Sequence, residues 1–144
     1  MATSFASARP PAWFRIAALL ATLWNAFGVF QYLSSVGLFG DPLAGMTDVQ
    51  RTAVESIPAA VTGAFALGTF AGLIGSLGLL LGQRWAVPAL LLSLVALAVL
   101  EGWIVFLSDA LDAFGGVALP ATICVIAALL AWLAFHARRR GWLG

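Results

Sequence analysis

Four stretches of this chain, residues 13–36, 58–81, 85–107 and 117–136, are long and apolar, and Arg15 and Glu101 are their only Arg, Lys, Asp or Glu residues. A helix rising 1.5 Å per residue needs about 20 such residues to cross the hydrocarbon of a bilayer. In lipid every backbone polar group must find its partner inside the segment, which an α-helix achieves alone. The pattern predicts an all-α polytopic membrane protein, an antiparallel four-transmembrane-helix bundle forming one membrane domain over residues 1–144. Composition agrees, because only 9% of the residues are charged, against about 25% in soluble domains. With 62% hydrophobic residues in 144, a water-soluble fold would leave too much apolar surface exposed.

The start of the first stretch resembles a secretory leader, with Arg9 and Arg15 ahead of an apolar run. The run continues past the length of a leader, however, and carries Trp24, Asn25, Gln31 and Tyr32, so it reads as a first membrane helix. Charge then sets the orientation. Arg9, Arg15, Arg84 and Arg138 to Arg140 fall on one side of a four-span chain, whereas Asp41, Asp48, Glu55, Asp109 and Asp112 fall on the other with Arg51. Short Arg-rich loops stay cytoplasmic, so both termini are expected in the cytoplasm. Trp13, Trp85 and Trp142 sit where interfacial rings are favoured.

The connections differ in length. Residues 82–84 leave room only for a tight hairpin, and residues 108–116 form a short acidic loop. The longer loop at 37–57 contains Thr47-Asp48-Val49-Gln50, the form of a capping box. Apolar residues recur after it near helical spacing. A short amphipathic helix is expected there, lying on the outer membrane surface with Asp48, Arg51 and Glu55 towards water.

Two features bear on function. The second span carries Ala60, Ala64, Gly68, Gly72 and Ser76 every four residues, broadened by Gly75 and Gly78. Membrane helices associate by close backbone approach, which such small residues permit. The stripe therefore predicts packing against a neighbouring span or against a second copy of the chain. The other feature is Glu101, the one acid within a span. Placing it near mid-membrane costs about 2.5–3.5 kcal/mol on insertion scales, so it should face protein or a water-filled cavity. The first span runs in the same direction and offers Asn25, Gln31 and Tyr32 at similar depths. Two readings stand side by side: a polar solute or ion site between the first and third spans, built from Asn25, Gln31, Tyr32 and Glu101, or an interhelical hydrogen bond that fixes register. Position near the outer interface is a third.

Other chemistry has little footing. Cys124 is the only cysteine, which rules out an internal disulfide and any paired-cysteine metal or redox site. His136 stands alone among arginines at the end of the fourth span. No phosphate-binding loop, zinc-protease helix or nucleophile elbow is present, and no cofactor, metal, nucleic-acid partner or enzymatic activity is expected.

The Trp24-Asn25-x-x-Gly28-x-x-x-Tyr32 pattern, Met46-Thr47-x-x-Gln50 ahead of Pro58-Ala59, and the run from Gly72-x-x-Gly75 to Arg84-Trp85-Ala86 resemble a family of small bacterial four-span inner-membrane proteins. The likeness covers most of residues 13–95 and fades in the fourth span. It departs at Ala60, where the family often has Trp, and Glu101 lies outside its pattern. The resemblance implies a bacterial cytoplasmic membrane and gives weight to the Asn25, Gly28 and Tyr32 face. The family has no defined activity, although some members carry the label of sugar transporter. Two kinds of function are therefore expected: a non-enzymatic accessory or structural membrane component, with a homo-oligomer or another membrane protein as partner, or a small oligomeric solute transporter. Small multidrug exporters share the length and span number but place an essential Glu in the first span, where this chain has Asn25.

Overall fold

A computed structural model describes residues 8–144. Its regular structure is helical: α1 Ala12–Ser35, α2 Asp48–Glu55, α3 Ala59–Leu80, α4 Ala86–Leu107, α5 Ala110–Ala113 and α6 Ala118–Arg139. Four of these, α1, α3, α4 and α6, are long and apolar enough to cross a membrane, and the chain is an integral multi-pass membrane protein. The expected spans hold to within a residue or so, except that α6 runs three residues past the predicted end at 136. Pro58 caps α3, and Pro88 and Pro120 each occupy the third helical position of α4 and α6, where a missing N–H costs no intrahelical bond.

Packing follows chain order. α1 lies on α3, α3 on α4, and α4 on α6, while α3 and α6 touch only lightly. Outer faces are left to large apolar side chains such as Ile16, Leu20, Leu23 and Phe27 on α1 and Val95 and Val99 on α4. An exposed apolar surface of that extent is normal only against lipid. Two cores form along the bundle. At the end that carries Arg84 and Arg138 to Arg140, all four spans meet around Phe14, Ala18, Leu79, Leu90 and Ala134. Towards the acidic end, Val61, Leu97, Leu100 and Ala127 bring together α3, α4 and α6 without α1.

The helix ends explain this geometry. At the α3–α4 hairpin Gly82 takes φ +70°, Gln83 N donates to Gly78 O at 2.8 Å, and Gly82 N donates to Leu79 O at 3.1 Å. That is a Schellman closure, in which glycine adopts the left-handed conformation without a Cβ penalty. The same closure at Gly141 (φ +72°) turns the chain back after α6, so that Leu143 is buried in the first core. At the opposite end α2 has the expected capping box: Thr47 Oγ1 accepts from Gln50 N at 3.3 Å and Thr47 N donates to Gln50 Oε1 at 3.1 Å. Asp48, Arg51 and Glu55 are exposed, as predicted, and Ala53 is buried. Gln50 Nε2 also donates to Ala113 O at 3.3 Å, joining the first acidic-side loop to α5, a helical turn inside the short acidic connection 108–116.

Candidate functional site

The polar groups inside the membrane are built around α3. Gly68, Gly72, Gly75 and Gly78 are buried, and each is a place where a neighbour occupies the position of a side chain. A Cβ on Gly68 would meet Leu97 Cδ2 at 2.7 Å, one on Gly75 would meet Leu90 Cγ at 2.6 Å, and one on Gly78 would meet Trp85 at 2.8 Å. All three neighbours belong to α4 or its N-cap. The close approach lets Ser93 Oγ on α4 donate to Gly68 O across the interface at 2.7 Å, a bond between a side chain of one helix and the backbone of the other.

Gly72 receives α1 as well. A methyl there would overlap Asn25 Oδ1 and come within 2.9 Å of Ser93 Oγ. Asn25 is only 7% exposed, and its Nδ2 donates back to Ala21 O at 2.9 Å. Asn25, Gly72 and Ser93 thus form a polar knot joining α1, α3 and α4 at one depth. Beside it Trp24, Asn25, Ser93, Leu97 and Ile123 line a crevice between α1, α4 and α6, with about 10 Å³ open to the centre of a water-sized sphere. That is about the space of a single water.

The other predicted site residues lie elsewhere. Gln31 is exposed on the outside of α1. Tyr32 turns its ring to α3, edge-on to Phe65 and Phe70 with centroids 5.6 and 6.0 Å away, and Phe65 packs between it and the second core. Glu101 is 4% exposed. It lies in the half of α4 towards the acidic end, next to Leu100 of the second core. Glu101 lies eight residues beyond Ser93, about 12 Å along the helix axis. It makes no side-chain hydrogen bond among the described residues, yet its oxygens are not sealed, since no enclosed side-chain N or O there lacks a partner.

The expected site between the first and third spans is therefore not assembled. α1 and α4 are not packed together along their length, because α3 intervenes. Asn25 is in the α1–α3–α4 knot, Tyr32 in the α1–α3 seam, Glu101 farther along α4 towards the acidic end, and Gln31 outside. The small-residue stripe also changes shape. Gly68, Gly72 and Ser76 are buried, Ala64 is half-buried, and Ala60 is exposed. The tight line to α4 runs instead through Gly68, Gly75 and Gly78. Ser93 is the participant that the sequence reading missed. Its signal was a hydroxyl in the middle of the most apolar run.

Outside the spans, an open cleft of about 410 Å³ between α2 and the start of α5 is lined by Asp48, Thr52, Ser56 and Asp109. Both carboxylates are exposed. No group of three or more His, Cys, Asp or Glu among the described residues is placed to hold a metal ion.

No family model matches the chain, and comparison with the curated proteins and with the solved structures gives no match.

Proposed function

We propose that this protein is a non-enzymatic accessory or structural component of a bacterial cytoplasmic membrane, working by packing against a second copy or another membrane protein. The observation that carries this reading is the dispersal of its intramembrane polar groups. Asn25 and Ser93 spend their hydrogen bonds on backbone carbonyls, and the crevice beside them has about 10 Å³, whereas solute sites occupy about 300–1,000 Å³. The arginine and tryptophan distribution supports cytoplasmic termini, and the resemblance of the Trp24 to Tyr32 and Gly72 to Ala86 segments supports the bacterial setting. Reconstitution into vesicles is the test. Purified protein should give no saturable uptake of mono- or disaccharides above empty vesicles, and purification from its own membrane should yield a constant ratio of itself or one membrane protein. Uptake abolished by Asn25→Ala would overturn the reading.

One observation favours transport: Glu101, only 4% exposed within a span, makes no side-chain hydrogen bond among the described residues while its oxygens still reach the surface. On that reading it binds a proton or a cation in an oligomer, and Glu101→Gln abolishes uptake across a pH series. On the packing reading, wild type and Glu101→Gln vesicles behave alike.

A further inference from the structure

At one end the fold gathers positive charge that no carboxylate side chain of this protein can neutralise. Arg15 lies in the first turn of α1, Arg84 in the α3–α4 turn, and Arg138, Arg139 and Arg140 at the end of α6, and all five are exposed. The six acidic residues are Asp41, Asp48, Glu55, Asp109 and Asp112 in the connections at the opposite end, and Glu101 in the half of α4 nearest to it. A span of 22 residues holds the two ends about 33 Å apart, beyond several Debye lengths at physiological salt.

The tail draws the arginines onto one surface. After the turn at Gly141, Gly144 N donates to Gly82 O at 2.7 Å and Arg84 N donates to Gly144 O at 3.3 Å. Arg84 Nε donates to Leu143 O at 3.2 Å, which leaves its two terminal amino groups available. On the other side Trp142 packs against Trp13 and Phe14, with centroids 5.7 and 5.2 Å away. The beginning of α1, the hairpin and the end of α6 are thereby tied together. Half-exposed Trp13 and Trp85 stand at the same level, where indole rings mark the boundary of hydrocarbon and headgroups.

We infer that this face binds anionic phospholipid headgroups, with preference for the class bearing two phosphates. Guanidinium forks match phosphate oxygens in bidentate geometry. Successive arginines on a helix point about 100° apart, so Arg138 to Arg140 reach neighbouring phosphates rather than one. Lipid is favoured over a free anion by position, because the cations ring the ends of the spans, beside faces that acyl chains cover.

The test titrates the whole protein in neutral detergent with a diphosphatidylglycerol, a phosphatidylglycerol, a phosphatidylcholine, and inorganic phosphate, reading bound lipid by native mass spectrometry and melting temperature. The two anionic lipids should bind and raise the melting temperature, the two-phosphate lipid more strongly, and 0.5 M salt should weaken both. Each basic side chain near an anionic surface changes binding about fivefold, so the triple variant Arg138→Gln, Arg139→Gln, Arg140→Gln should bind on the order of a hundredfold more weakly. Should that variant fail to fold, Arg15→Gln with Arg84→Gln should show a smaller loss of the same kind. Equal binding of phosphatidylcholine, insensitivity to salt, or unchanged binding by these variants overturns the inference. Equal stabilisation by inorganic phosphate assigns the face to a free anion and overturns it as a lipid site.

Discussion

Gly75→Ala probes the α3–α4 interface where it is tightest. The added methyl would stand 2.6 Å from Leu90 Cγ, about 1 Å inside the optimal carbon–carbon separation of 3.5–4.0 Å, and 3.0 Å from Leu90 N. One of these atoms is backbone, so a rotamer change of Leu90 cannot relieve the contact and the helices must separate. Overpacking of this kind costs about 1–3 kcal/mol, set against about 1 kcal/mol gained from alanine's helix propensity. Gly63→Ala on the same helix is the control, because nothing lies within 4 Å of its Cβ position and only the propensity gain remains. The two variants should therefore differ by about 1–3 kcal/mol, with Gly63→Ala the more stable. Reversible unfolding in mixed micelles, followed by helical circular dichroism against rising denaturing detergent, measures the difference. Equal stabilities, or a more stable Gly75→Ala, would refute the claim that these glycines are spaces filled by α4.

Three further outcomes can be checked by the same unfolding measurement. Ser93→Ala removes the bond to Gly68 O and should cost about 0.6–1.7 kcal/mol, the range of interhelical bonds in membranes; no loss would mean that close backbone approach alone holds α3 to α4. Leu143→Ala empties a side chain buried in the core at the Arg-bearing end and should cost about 2–5 kcal/mol, whereas a frayed tail would show no change. Gln50→Ala breaks both the capping box and the bond to Ala113 O, and should speed amide exchange in α2 and α5 together while leaving the spans unchanged; faster exchange in α2 alone would show that the two loops are not coupled.

The spans were legible because about 20 apolar residues in lipid have few alternatives to a helix. The capping box was legible because Thr47 and Gln50 act locally, three residues apart. Neighbour relations were not. Nothing in the spacing of Asn25, Tyr32 and Glu101 tells that α3 stands between their helices, since depth along a span follows from counting residues but the order of helices around the bundle does not. The small-residue stripe on α3 announced close packing, yet not that Gly72 would accept both Asn25 and Ser93. The returning tail was partly readable: Gly141 after the basic last turn of α6 is a stop signal, but the burial of Leu143 depends on the hairpin that receives it.

The most direct test of the claim that the membrane-buried polar residues serve separate packing contacts is a pair of double-mutant cycles in unfolding stability. Asn25→Ala combined with Ser93→Ala should show coupling of about 0.5 kcal/mol or more, since both side chains crowd the space above Gly72. Asn25→Ala combined with Glu101→Gln should be additive within about 0.5 kcal/mol. A coupling of about 1 kcal/mol or more in the second cycle would contradict the account and restore a shared polar site.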